Sequence, residues 1–179
     1  LHDALPILNN AVLFERISDV ALKQSEYQKK TDERFEQVFD YIAEHEEVKQ
    51  KIFFEGQIYD AFSLLVKLVG SAEKSIILID NYVDVDTLNI LAKKKRNVNV
   101  CIYTMRQTKL TSADVKNFNR QYSKLEVKYT GSFHDRFLIV DGGSAYHIGA
   151  SLKDAGKKCF AINQMEDIQN IKEIVYRLK

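Results

Sequence analysis

The 179-residue sequence has no tryptophan, one proline, two cysteines and seven glycines. Two cysteines are too few for a small disulfide scaffold. Cys101 and Cys159 both sit in apolar runs, which points to reduced, buried thiols rather than a bridge. So little proline and glycine excludes collagen-like and Pro/Gly-rich linker architectures. No apolar run approaches the roughly 20 residues that span a bilayer, so no membrane partner is expected. Neither an HxxxH spacing nor a cysteine cluster occurs, and we expect no metal site and no cofactor. Neither charge sign is in excess: 26 Lys and Arg face 25 Asp and Glu, a net charge of +1. Overall charge thus points to no partner, and any attraction for nucleic acid has to be local. Leu1 to Ile7 lack the basic start and long apolar centre of a secretory leader. The expected compartment is the cytoplasm.

What is present is 45% hydrophobic residues, with ten Phe and nine Tyr, enough for one substantial core and an appendage. The composition changes near Phe53, which divides the chain into residues 1–53 and 54–179. Before the break the chain is rich in Glu, Lys and Gln and has no glycine. Leu13, Ile17, Val20, Gln24, Tyr27 and Thr31 alternate steps of four and three. Phe35, Val38, Ile42 and His45 resume that alternation after one extra four-residue step. This spacing predicts a long helix with one stripe, read as a heptad pattern with a stutter. The stripe continues less regularly through Val48 and Ile52. Such a helix has no core of its own. A self-associating coiled coil is the first expectation, and packing back on the domain or a linker helix are the alternatives.

Beyond Phe53 the pattern alternates. Residues 58–69, 85–93, 111–122 and 168–178 read as helices, the first closed by Gly70. Residues 75–80, 97–104, 125–129, 136–140, 145–148 and 159–162 read as strands, with an Asp141-Gly142-Gly143 turn between the fourth and fifth. The early strand–helix alternation predicts an α/β domain, a sheet with helices on both faces. Lys93 to Arg96, KKKR, reads as a solvated helix end, with contact to a phosphate backbone as the functional alternative.

The chemistry concentrates in SFHDRFLIVDGGSAYHIGASLKDAGKKCFA, Ser132 to Ala161. His134 and Arg136 are two apart and would share one side of a strand. A neutral imidazole is a nucleophile for phosphorus, and its protonated form donates to an alkoxide. A guanidinium holds phosphate oxygens by paired charge-assisted bonds. Small residues at Gly149 and Ala150 let a phosphate approach backbone N–H groups, and Lys153, Lys157 and Lys158 add positive charge. Asp80 and Asn81 end the first strand and are read either as lining the same mouth, with Tyr82 shaping it, or as a solvated turn. Asp141 reads chiefly as structural, as does His147.

This stretch resembles the HxK(x)4D…GSxN signature of the phospholipase D superfamily. His134, Arg136 and Asp141 match its histidine, lysine and aspartate in register. Gly149, Ala150 and Ser151 fall at its glycine–serine loop, and the later acidic or amide residue would be Asn163 or Glu166. The stretches FFEGQIYDAF, SIILIDNYVD, FHDRFLIVD and YHIGASLKDAGKKCFA also resemble the C-terminal region of bacterial and phage-related proteins that carry such a domain behind an ORF6N-type DNA-binding domain. That likeness covers most of Phe53 to Met165 and extends to Glu55 and Tyr59 as supporting residues. The resemblance implies a phospholipase D-like mixed β-sheet flanked by helices, preceded by the long N-terminal helix. It implies a metal-independent phosphodiesterase or nuclease acting on nucleic acid. His134, Arg136 and Lys153 would be catalytic, with Asp141, Gly149, Ala150, Ser151, Asn81, Asn163 and Glu166 supporting or binding phosphate. One motif per chain implies a site shared across a homodimer. Arg136 in the lysine position and the missing asparagine keep a second reading open: a catalytically impaired phosphate-binding and dimerisation module of a DNA-binding regulatory protein, its N-terminal DNA-binding domain missing from this chain.

Overall fold

The structure, a computed structural model, describes residues 5–45, 49–122 and 124–178, with side chains from residue 10 to 38 in the first of these segments. It divides into two compact units, Leu1–Glu47 and Val48–Lys179.

The first unit is helix α1, Leu5–His45. It contains no glycine, and its proline, Pro6, lies in the first turn, where a missing N–H removes no helical bond. Leu13, Ile17, Val20, Tyr27, Phe35 and Val38 of the expected stripe are exposed, as are Phe14 and Leu22 outside it. The Thr31 hydroxyl donates to the Tyr27 carbonyl of its own helix at 2.8 Å. The expectation of a coiled coil is therefore corrected: the fold is a mixed sheet with short helices, and α1 is a single helix with these apolar side chains exposed. Apolar residues spread around it and Gln24 and Thr31 break the stripe, so heptad spacing alone does not define a packed face. Val48 lies outside the described residues, as do the side chains of Ile42 and His45. Ile52 belongs to a strand.

The second unit runs β1 (Gln50–Phe53), α2 (Ile58–Ser71), β2 (Ser75–Ile79), α3 (Val85–Leu91), β3 (Asn99–Thr104), α4 (Ser112–Gln121), β4 (Leu125–Tyr129), β5 (Arg136–Val140), β6 (Ser144–Ile148), a 3₁₀ turn (Leu152–Asp154), β7 (Phe160–Met165) and α5 (Ile168–Arg177). Its seven strands form one mixed sheet in the order β1-β7-β6-β5-β2-β3-β4. β2, β3 and β4 are parallel, linked by α3 and α4 as βαβ crossovers; the remaining pairs are antiparallel. Gly70 lies inside α2 rather than closing it.

Alternation along the strands separates two cores. Ile76 and Leu78 of β2, Val100 and Ile102 of β3, and Leu138 and Val140 of β5 pack with Leu65, Leu88 and Phe118 of α2, α3 and α4. Ile79, Ile139 and Ala145 face the other way, against Ile171 and Ile174 of α5. Helices thus cover both faces. Capping boxes start α3 at Asp84 with Thr87 and α4 at Thr111 with Asp114.

The KKKR run is not a uniformly solvated end. Lys94 is buried and donates to the Tyr122 carbonyl at 3.0 Å, and desolvation, with Lys124 nearby, lowers its pKa. Lys95 pairs with Glu73. Both cysteines are free, but Cys159 is exposed rather than buried. Cys101 is half-buried, and desolvation raises its thiol pKa.

Candidate active site

The topology gathers one set of strand termini at a single end of the sheet. The C-termini of β2, β3, β4 and β6 lie there beside the N-termini of β5 and β7. This is where α/β sheets place their sites.

Arg136 opens β5. It alternates with Leu138 and Val140, so its side chain leaves on the face covered by α2, α3 and α4. Ile79 pairs with Phe137, which makes Asp80 the neighbour of Arg136 in the next row. The guanidinium carbon lies 5.6 Å from the centre of the Tyr82 ring. The Arg136 Nε is buried with no hydrogen-bond partner, and among the described residues no carboxylate pairs with this arginine.

His134 lies in the bend before β5 rather than on the strand, so the strand rule that would align it with Arg136 does not apply. Its side chain is exposed and free of partners among the described residues. The bend is held from the neighbouring loop: the Asn81 Nδ2 donates to the Phe133 carbonyl at 2.8 Å, and the Asn81 Oδ1 is buried and unpartnered. Thr104, ending β3 in the same layer, has a buried hydroxyl with no partner. Arg136, Asn81 and Thr104 thus bring three unpaired buried polar atoms to one sheet end, where each calls for a ligand or water.

Asp80 is the opposite case. Fully buried, it accepts from the Ser151 hydroxyl at 2.7 Å and the Leu152 N–H at 3.1 Å through one oxygen, and from the Tyr82 N–H at 2.9 Å through the other. It anchors the 149–154 loop to the turn after β2 that carries Asn81 and Tyr82. Gly149 is a glycine for steric reasons, since a Cβ would meet the Ala161 backbone at 3.3 Å. Its own N–H already donates to the Ala161 carbonyl at 2.9 Å. Gly156, not singled out in the sequence, seats the far end of this loop. Its φ is +80°, and a Cβ would come within 2.6 Å of the Gln57 carbonyl oxygen.

The remaining sequence candidates divide clearly. Ala150 and Ser151 are at this end, but Ser151 is buried and turned towards Asp80. Lys153 is also here, with its ammonium 3.4 Å from the Asp84 carboxylate in a largely buried pair. Asp141 lies at the opposite end of β5, where its carboxylate accepts from the N–H groups of Glu73, Lys74 and Ser75 at 2.7–2.9 Å. These bonds, led by that from Glu73, hold it below the usual carboxylate range. Asn163 pairs with His147, which pairs in turn with Phe137, in the row next to Arg136 but on the α5 face. Glu166 follows β7 at the far end and lies 3.4 Å from Lys49. His147 shares the α5 face and lies 3.7 Å from Asp135. Glu55 and Tyr59 are exposed. Among the described residues no three His, Cys, Asp or Glu side chains group to hold a metal ion, and no helix is long and apolar enough to cross a membrane.

This geometry leaves an exposed imidazole two residues from a partly buried, unpaired guanidinium, with an aromatic ring beneath the latter. Such a set can hold an oxyanion and present a nucleophile or proton donor.

The fold has known counterparts. It is similar to NucT from Helicobacter pylori, with a TM-score of 0.55 and 15% identity over 73% of this chain and 92% of that one. It is also similar to Nuc from Salmonella typhimurium, a phospholipase D family member, with a TM-score of 0.52 and 18% identity over 72% and 90%. The domain therefore has a phospholipase D-type fold. At these identities the likeness carries the fold alone. No protein-family model and no curated protein matches the sequence, so the expected link to phage-related, ORF6N-associated proteins is withdrawn.

Proposed function

We propose that Val48–Lys179 is a metal-independent phosphodiesterase of the nuclease type, acting on nucleic acid. His134 is the nucleophile and Arg136 holds the phosphate. The observation that carries this reading is the half-buried guanidinium of Arg136, unpaired at the same strand ends as the exposed His134. A buried cation without a carboxylate is costly unless an anion completes it. In the reaction, the imidazole nitrogen of one His134 bonds to phosphorus as the P–O bond to the leaving oxygen breaks. A second His134, from another copy of the chain, gives its proton to that oxygen. It then takes a proton from water, whose oxygen displaces the first imidazole. Free cysteines fit a reducing, cytoplasmic setting.

The test is cleavage of an end-labelled oligonucleotide by the whole chain in excess chelator. His134→Ala is expected to lower the rate by about 100-fold or more. Equal cleavage by both proteins would overturn the assignment. A second reading has its own support, since Ser151 and Lys153 are both engaged internally. In that reading the domain binds phosphate without turnover, as part of a DNA-binding regulatory protein. Oligonucleotide binding that weakens in Arg136→Met, with no cleavage by the unaltered chain, would favour it.

A further inference from the structure

At the same end of the sheet, at the ends of β3 and β4, lies a second feature that the phosphoryl-transfer reading does not use. A cavity of about 420 Å³ opens between the loop after β3 and the end of β4, lined by Met105, Arg106, Gln107, Tyr129, Thr130 and Gly131. Arg106 is exposed, its guanidinium carbon 5.4 Å from the centre of the Tyr129 ring, and the ring itself is about half exposed. Among the described residues no carboxylate neutralises Arg106. Gly131 leaves the wall open: a Cβ there would meet nothing within 4 Å.

The position of this cavity is fixed relative to the candidate active site. Thr130 N–H donates to the Thr104 carbonyl at 2.9 Å, and the Thr108 hydroxyl donates to the Val83 carbonyl at 2.7 Å. The Asn81 amide in turn holds Phe133. Three loops are therefore tied together, and Gly131 stands three residues before His134, within about 10 Å along an extended chain.

An exposed tyrosine ring paired with a free guanidinium, in a cavity open on one side, suits a flat aromatic group joined to an anion. On one strand of nucleic acid, base and phosphate supply that combination. We propose that this cavity is a nucleotide subsite. An unpaired base stacks on Tyr129, Arg106 holds the adjoining phosphate, and Gln107 meets the base edge. This rests on the phosphodiesterase reading for its substrate class, and sets the strand's path: a base seated here leaves a neighbouring phosphate at His134. The site prefers unpaired strands, because a base stacked in a duplex has no free face to offer.

The test measures binding of an end-labelled oligothymidylate to the whole chain by fluorescence anisotropy, in chelator. Tyr129→Ala and Arg106→Ala are each expected to weaken binding about tenfold, and Tyr129→Phe by less than about twofold, since the ring is kept. An abasic residue is then moved along the strand. At one position it should cost the unaltered protein about tenfold and Tyr129→Ala nothing further. A duplex of the same length should be insensitive to Tyr129→Ala. Unchanged affinity in Tyr129→Ala and Arg106→Ala, an abasic penalty equal in both backgrounds, or a duplex as sensitive as the single strand would each overturn the subsite. Repeating the series in His134→Ala separates the two proposals. Full cleavage by His134→Ala defeats the phosphodiesterase assignment and leaves the binding result standing. Loss of cleavage with affinities that ignore Tyr129 and Arg106 defeats the subsite alone.

Discussion

The two ends of the seven-stranded sheet treat their polar groups in opposite ways. At the end where β5 finishes, several polar groups are paired in the fold. Asp141 takes three backbone N–H groups, Lys94 reaches the Tyr122 carbonyl, and the Asn119 side chain both donates to and accepts from the Leu125 backbone. At the end where β5 begins, the Arg136 Nε, Asn81 Oδ1 and Thr104 Oγ1 are buried without partners. Both ends belong to one sheet, with a core on each face. One end ties the fold together, and the other leaves buried polar atoms that call for a ligand or water.

Substitutions can break or sharpen that contrast. The largest effect is expected at Asp80, a fully buried and satisfied carboxylate at the end where β5 begins. Asp80→Ala strands the Ser151 hydroxyl and two N–H groups and should cost about 3 kcal/mol or more in urea unfolding. A loss below about 1 kcal/mol would mean that Asp80 does not anchor the loop.

At the end where β5 finishes, Asp141→Asn removes the charge but keeps a residue that tolerates the positive φ of 53°. Its carboxylate is exposed and screened, so about 1 kcal/mol is expected. The pH dependence gives the sign. The folded pKa lies below the unfolded one, so the contribution is complete above the ordinary carboxylate pKa. It disappears as pH falls through the depressed value. Asp141→Asn should therefore flatten the acid limb of the stability profile, and an unaltered limb would reassign those bonds.

Arg136→Met should change stability by less than about 1 kcal/mol, because no carboxylate partner is lost and only the contact with the Tyr82 ring goes, while oligonucleotide affinity falls. A large loss of stability would show Arg136 to be part of the framework instead. Smallest of all, Thr104→Val should be neutral or slightly stabilising, within about 1 kcal/mol, since it replaces an unpaired buried hydroxyl with a methyl of the same shape.

The sequence made the sheet legible because its signals were local. SIILID, NVNVCIYT and RFLIV are short apolar runs bounded by turns, and each became a strand within two residues of its expected limits. The site was legible only in part. His134 and Arg136 do lie together at a strand end, but as bend and strand, because Asn81 from another loop holds the bend. Lys153 looked available because Asp84 is far away in sequence, yet the fold sets them 3.4 Å apart. β7 extends to Met165, past the expected Ile162, and this carries Glu166 to the opposite end. Arg106 and Tyr129 gave no sign beyond their positions just after or at the close of a strand.

The sequence by itself missed β1, which lies where the long helix was expected to continue, and did not define the outer edges of the buried helix faces, since Tyr59, Phe62 and Ile168 are exposed. It determined the order of the remaining strands and helices and set an imidazole and a guanidinium in one short stretch. Those follow from periodicity and from neighbours along the chain. The tertiary structure alone decided which charges were already neutralised and which polar atoms were left unpaired. These depend on groups brought close in space from distant segments, and no spacing within one segment encodes them.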